Sequence, residues 1–212
     1  MDDVDYSNVD TSGITSMVSL FNYVGEVKYD ITGWDVSNVT DMGFMFFGCR
    51  KFNQPLFKWD VSRVRDMRYM FGACHEFNQF IGDWDVSRVN NMTCMFEGCR
   101  NYDQYMFEWD VSNVTDMSYM FSRCYKFDQY IGDWDVSNVI SMGCMFDNCY
   151  KYDQYMGKWD VSNVNDMLAM FRHCHGFNQD LTNWSIPRGC DTSDMFVRCH
   201  ALSQSKRPTI YQ

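Results

Sequence analysis

All seven tryptophans, Trp34, Trp59, Trp84, Trp109, Trp134, Trp159 and Trp184, stand 25 residues apart without a slip. A fixed period of this size means that each unit is one small supersecondary element, which buries its apolar side only by stacking on its neighbours. The 212-residue chain therefore reads as a single elongated domain, 1–212, in which contacts run mainly between successive units. Residues 1–33 form a degenerate N-terminal cap, 34–183 six regular repeats, and 184–212 a degenerate C-terminal cap and tail. Val9 stands where the first tryptophan is due, and Ser185, Pro187 and Gly189 break the phrase in the last unit. Terminal units with one uncovered face are expected to decay in this way.

Each regular unit reads W-D-V-S-x-V-x-x-M-x-x-M-F-x-x-C-x-x-[FY]-[ND]-Q-x-[LIM]. Val39, Met42, Met45, Phe46 and Cys49 are spaced three, three, one and three apart, which predicts a short helix. Thr40 or Asp41 is placed to cap its start and Gly48 to end it. Phe52, Leu56, Trp59 and Val61 predict extended backbone and a short strand near Trp59-Asp60-Val61. The expected class is an α/β repeat, a leucine-rich-repeat-like solenoid with one short parallel strand and one short helix per 25-residue unit. The period alone leaves a β-helix open. A finer period of 50 relates Cys94 to Cys144, Tyr69 to Tyr119 and Met106 to Met156, and reads as duplication of a two-repeat block.

The phrase W-D-V-S-N-V-T-D-M-S-Y-M-F from Trp109, followed by Cys124, and the F-N-Q-P-L at 52–56, resemble the tandem repeats of BspA-like leucine-rich-repeat proteins. The resemblance runs from about Val9 to Leu202, nearly the whole chain. Members of that family occur on bacterial surfaces and in protists, algae and the large DNA viruses that infect them. The resemblance implies adhesion or protein binding, with no catalytic residue to carry over. The chain shows neither the usual bacterial export signal nor a lipoprotein cysteine, which favours an intracellular or virion-associated protein.

With 18 basic against 28 acidic side chains, the formal charge of -10 repels phosphate backbones and anionic lipid, so no nucleic-acid partner is expected. Met1-Asp2-Asp3-Val4-Asp5 is acidic where a secretory signal needs positive charge, and no apolar run is long enough to span a bilayer. Neither a signal peptide nor membrane insertion is expected. Cys49, Cys74, Cys99, Cys124, Cys149, Cys174 and Cys199 keep the 25-residue period and are read as reduced, buried packing residues rather than a disulfide framework.

Three further rows bear on function. Asp10, Asp35, Asp60, Asp85, Asp110, Asp135 and Asp160 form a file of carboxylates. Two charges about 4.8 Å apart would repel by roughly 0.9 kcal/mol even in bulk water. Acceptance of amides in the local turn answers this best, with calcium between turns as the lesser alternative. Gln54, Gln79, Gln104, Gln129, Gln154, Gln179 and Gln204 suggest an amide ladder in which each donates to the next. Phe80, Tyr105, Tyr130 and Tyr155 lie at the centre of a row that begins in Asp30 and ends in Asp180. They are the candidate protein-binding strip, the other reading being rings that stack on one another to cover the surface.

Arg50, His75, Arg100, Tyr125, Tyr150, His175 and His200 read as a solvated basic and aromatic edge. His173, Cys174, His175, Cys199 and His200 cluster without the spacing of a zinc site, so no metal or other cofactor is expected. The N-x-S/T triplets at Asn38 and Asn113 arise from the repeat phrase and would carry glycans only in a secretory route. Catalysis needs unlike groups gathered in a cleft, whereas a ladder offers the same side chains repeatedly. The function expected is thus a non-enzymatic protein-binding or structural scaffold, such as a component of a large-virus particle or similar assembly. The alternative is a cell-surface adhesin or host-recognition protein. Self-association through an incompletely capped end is allowed.

Overall fold

A computed structural model of the chain describes residues 6–210. The expectations for Met1-Asp2-Asp3-Val4-Asp5 and for the last two tail positions lie outside the described residues. Among the described residues the only regular helix is a 3-10 turn, Gln204–Lys206. Backbone pairing between units consists of isolated parallel bridges, from Ser16↔Asp41 and Asp41↔Asp66 on to Asp166↔Asp191. The expected α/β solenoid with a helix and a strand in every unit is therefore incorrect. Each 25-residue unit is instead a coil of tight turns, hydrogen-bonded in register to the next.

The reason lies in the backbone at two positions per unit. Phe44 and Gly48 have φ of 59° and 76°, and the pair recurs as Tyr69 with Ala73, Cys94 with Gly98 and Tyr119 with Arg123. Left-handed backbone every four residues excludes an α-helix. The N–H of Met45 donates to the carbonyl of Met42 at 3.2 Å, with Phe44 at the third position, and that of Cys49 to Phe46 at 2.9 Å, with Gly48 at the third. A type II turn demands positive φ there. Consecutive four-residue turns also repeat their apolar side chains at intervals of three and four, which is why the spacing imitates a helix.

A non-glycine residue in this conformation costs about 1–2 kcal/mol. Bonds between coils offset it. The N–H groups of Met42, Phe44, Phe46 and Gly48 donate to the carbonyls of Asp66, Arg68, Met70 and Gly72 at 3.0, 2.9, 2.9 and 2.8 Å. Those of Met45, Phe47 and Cys49 close turns within the coil, so the backbone donors alternate between the two uses and none from 44 to 49 is left over. A bond of opposite polarity, Arg65 N–H to the Thr40 carbonyl at 2.9 Å, completes the junction. Asp41 accepts the Gly43 amide at 2.9 Å, so it closes a turn and caps no helix.

The interior is made of files of like residues. The indole N–H of Trp59 donates to the Ile31 carbonyl at 3.2 Å and that of Trp109 to Ile81 at 3.2 Å, with all seven tryptophans buried. The cysteines repeat the device: the Cys74 thiol donates to Phe46 O at 3.0 Å and the Cys124 thiol to Phe96 O at 3.0 Å. All ten cysteines are free. Burial pushes the Cys94 thiol up to about 12 and that of Cys49 to about 11, which keeps them protonated and unreactive. Phe46 and Phe71 stack at 5.7 Å, and Phe96 and Phe121 at 5.6 Å. A second aromatic file, with Phe77 to Tyr102 at 5.7 Å, packs against the first. The hydroxyls of Tyr102 and Tyr152 are buried there with no hydrogen-bond partner among the described residues.

Candidate functional site

The carboxylate row is consumed by its own turns. Asp35 accepts the Ser37 amide at 3.0 Å and the Ser37 hydroxyl at 2.7 Å, and Asp110 takes the same pair from Ser112 at 3.0 and 2.6 Å. The serine hydroxyl, then the amide, hold the Asp35, Asp85, Asp135 and Asp160 carboxyls below the usual carboxylate range. These groups stay ionised because each has a local donor, which answers the repulsion along the file.

The glutamine ladder has a different partner from the one expected. Gln79 donates to the side-chain oxygen of Asn53 at 3.1 Å, Gln129 to Asp103 at 2.7 Å and Gln154 to Asp128 at 2.9 Å. The same oxygens accept amides of the next coil, as with Asp128 N–H on Asp103 at 3.0 Å. From Gln79 to Gln179 the acceptor is the residue before the preceding coil's glutamine, not that glutamine, whereas Gln54 donates to the Val27 and Tyr29 carbonyls. The accepting side-chain oxygen is an amide oxygen at Asn53 and Asn78 and a carboxylate at Asp103, Asp128 and Asp153, so position and not charge selects it.

The aromatic strip is placed by glycine. Where Gly82, Gly132 and Gly157 follow two residues after Phe80, Tyr130 and Tyr155, each ring folds over the bare backbone. A Cβ there would stand 2.7, 2.8 and 2.8 Å from a ring carbon. After Tyr105 the same position holds Phe107, and the pair stand out, 65% and 53% exposed. Phe80 is 40% exposed and Phe57, two coils before Phe107 on its row with Gly82 between them, is 55% exposed. Phe80, Tyr105 and Phe107 line one shallow depression with Asp83 and Glu108 at its edge. Among the described residues no ring contact joins Phe80, Tyr105, Tyr130 and Tyr155, so the strip is not a self-stacked cover. The sequence reading missed Phe57 and Phe107. The signal was the row in which glycine and phenylalanine replace one another two places after the aromatic.

A second aromatic run crosses another face. Arg100 lies over Tyr125 at 5.7 Å, Tyr125 stacks on Tyr150 at 4.9 Å, His175 meets Tyr150 edge-on at 5.4 Å, and His200 meets His175 edge-on at 5.6 Å. From Arg100 to His200 the edge is thus a connected file, and its Arg100, Tyr150, His175 and His200 are exposed to solvent. Beside it the buried Asp147 receives Arg172 at 2.8 and 3.0 Å, with His173 Nδ1 at 3.7 Å. Among the described residues no three His, Cys, Asp or Glu side chains gather as they would around a metal ion. The 50-residue pattern also has a chemical side: Cys94 beside Tyr69, and Cys144 beside Tyr119, each across one junction, raise the phenol above its ordinary pKa.

Among the described residues no helix is long and apolar enough to cross a membrane. No curated protein matches the chain. Among solved structures, a plant peptide hormone receptor, RGFR1, in complex with RGF2 is similar at 11% identity, with a TM-score of 0.23. That match covers 70% of this chain and only 24% of the receptor chain, and a likeness so slight carries no argument. The family described as "Mycoplasma protein of unknown function, DUF285" matches twice, over residues 2–108 and 95–208, and the chain belongs to it.

Proposed function

We propose that the protein is a non-enzymatic binding scaffold whose partner-facing surface is the rim around Tyr105. The carrying observation is that Phe57, Phe80, Tyr105 and Phe107 are exposed on neighbouring coils, whereas the tryptophan file and the phenylalanine files through Phe71 and Phe77 are buried. Large exposed aromatics with charges at the margin, here Asp83 and Glu108, are the composition of protein-binding hot spots. The BspA-like character of the repeat phrase supports the same reading, since that resemblance implies adhesion or protein binding. The uniformity of the coils favours a structural role in a larger assembly, virion or intracellular, over catalysis. Benzoylphenylalanine placed at Tyr105 should photocrosslink a discrete protein partner in the source material, and the same probe at Thr40 should not. Equal crosslinking at both positions would sink the proposal.

A further inference from the structure

Each junction between coils has a direction. The coil nearer the N-terminus supplies four N–H donors and the following coil four carbonyls, as with Met67, Tyr69, Phe71 and Ala73 donating to Asn91, Thr93, Met95 and Glu97. The first and last coils therefore end in opposite halves of one junction. In the last coil the N–H groups of Thr192, Asp194, Phe196 and Arg198 have no acceptor among the described residues. In the first coil the carbonyls of Ser16, Val18, Leu20 and Asn22 have no donor among them. The bond of opposite polarity is split in the same way, between the Thr15 N–H and the Cys190 carbonyl.

We propose that these two ends bind each other between copies of this chain, head to tail, continuing the 25-residue register. The occupant is a second copy because the free donors and acceptors agree in number, polarity and spacing with a junction the molecule already makes. Side chains agree as well. Val9, Leu20 and Val24 are exposed on rows that are buried tryptophan, methionine and cysteine in the next coil, Trp34, Met45 and Cys49. Phe21 and Phe196 are the half-covered ends of one phenylalanine file. Residues 6–33 carry three acidic and one basic side chain, whereas 184–210 carry four basic and two acidic, so the ends attract. The Arg207 guanidinium lies 5.2 Å over the Phe196 ring, and Arg207 and Ile210 border the same surface as Thr192 and Asp194, so this tail segment must move aside for the copies to meet.

A heterologous contact of this kind does not saturate at two. It grows into rods, or into rings if the rotation closes. The inference deepens the scaffold reading by naming one partner and uses a surface separate from the aromatic rim. The test is sedimentation velocity on the full chain over a concentration series, with electron microscopy of the heaviest species. The wild type should give species that lengthen with concentration. Val18→Lys with Leu20→Lys, at exposed positions of the acceptor end, should leave only monomer while preserving the thermal midpoint. Tyr105→Ala with Phe107→Ala should assemble like the wild type, so loss of rim crosslinking and loss of end stacking are separable. A monomer at every concentration, a dimer that saturates, or unchanged assembly in the lysine variant would overturn the proposal.

Discussion

The central coils and the end coils share one sequence phrase but different surroundings. Phe121 touches Phe96, Phe127, Trp134 and Phe146, with centroids from 4.1 to 6.4 Å, and is fully buried. Phe21, on the same row, has ring contacts among the described residues with Phe46 and Trp34 only, and is half-covered. The difference teaches that a residue's worth here is set by how many coils flank it. In a stack held by nearest neighbours, stability is a sum over junctions, and an end coil has one junction where a central coil has two.

The sharpest way to break the comparison is truncation on the phenylalanine file. Phe121→Ala should cost about 3–5 kcal/mol, the range for large aromatics removed from a packed core. Phe21→Ala should cost about 1 kcal/mol. Urea denaturation of both variants checks this, and equal losses would mean that the coils do not act as local neighbours.

Glycines give the next largest contrast. A Cβ on Gly132 would lie 2.1 Å from the Tyr155 carbonyl oxygen, a backbone atom of the following coil, whereas one on Gly13 would meet nothing within 4 Å. Gly132→Ala should therefore destabilise by about 1–3 kcal/mol through overpacking. Gly13→Ala should stabilise by roughly 0.4–1 kcal/mol through the unfolded chain. Thermal midpoints moving in opposite directions would sharpen the contrast between crowded and open coils.

The smallest effect is on acid stability. Asp85 and Asp135 are depressed in the folded chain by Ser87 and Ser137, so the stability they supply is present above the ordinary carboxylate range and is lost as pH falls through their folded values. Asp85→Asn keeps the turn acceptor but cannot titrate. It should leave the midpoint at neutral pH nearly unchanged and shallow the decline below about pH 4. In the last unit Ser185 already stands in this row, so that coil contributes nothing there to the acid response. A full set of melting curves against pH checks the slope.

The stacking itself was legible in the sequence because like residues at one period must either share a file or be wasted. The tryptophan, cysteine and methionine rows are buried files, and the aspartate row serves its own turns. The local backbone was not legible. Turns with a left-handed residue every fourth place and a helix of two turns bury the same positions, and the residues at those places, Phe44, Tyr69, Cys94 and Tyr119, give no chemical sign of positive φ. Gly48, Gly98 and Asn148 hinted at it, and a glycine or asparagine at that spacing reads equally as a helix end. At the candidate site the aromatic row was visible, but its exposure was not. That depends on whether a glycine two residues on lets the ring lie down, a relation between two variable rows rather than within one.

Since the bonds between coils point along the stack, a pull on the two termini loads one junction at a time instead of shearing many together. The molecule should pay out under tension in equal steps, each freeing one 25-residue coil, about 85 Å of extended chain. Such a body behaves as a mechanical fuse, lengthening by countable increments before its attachments give way.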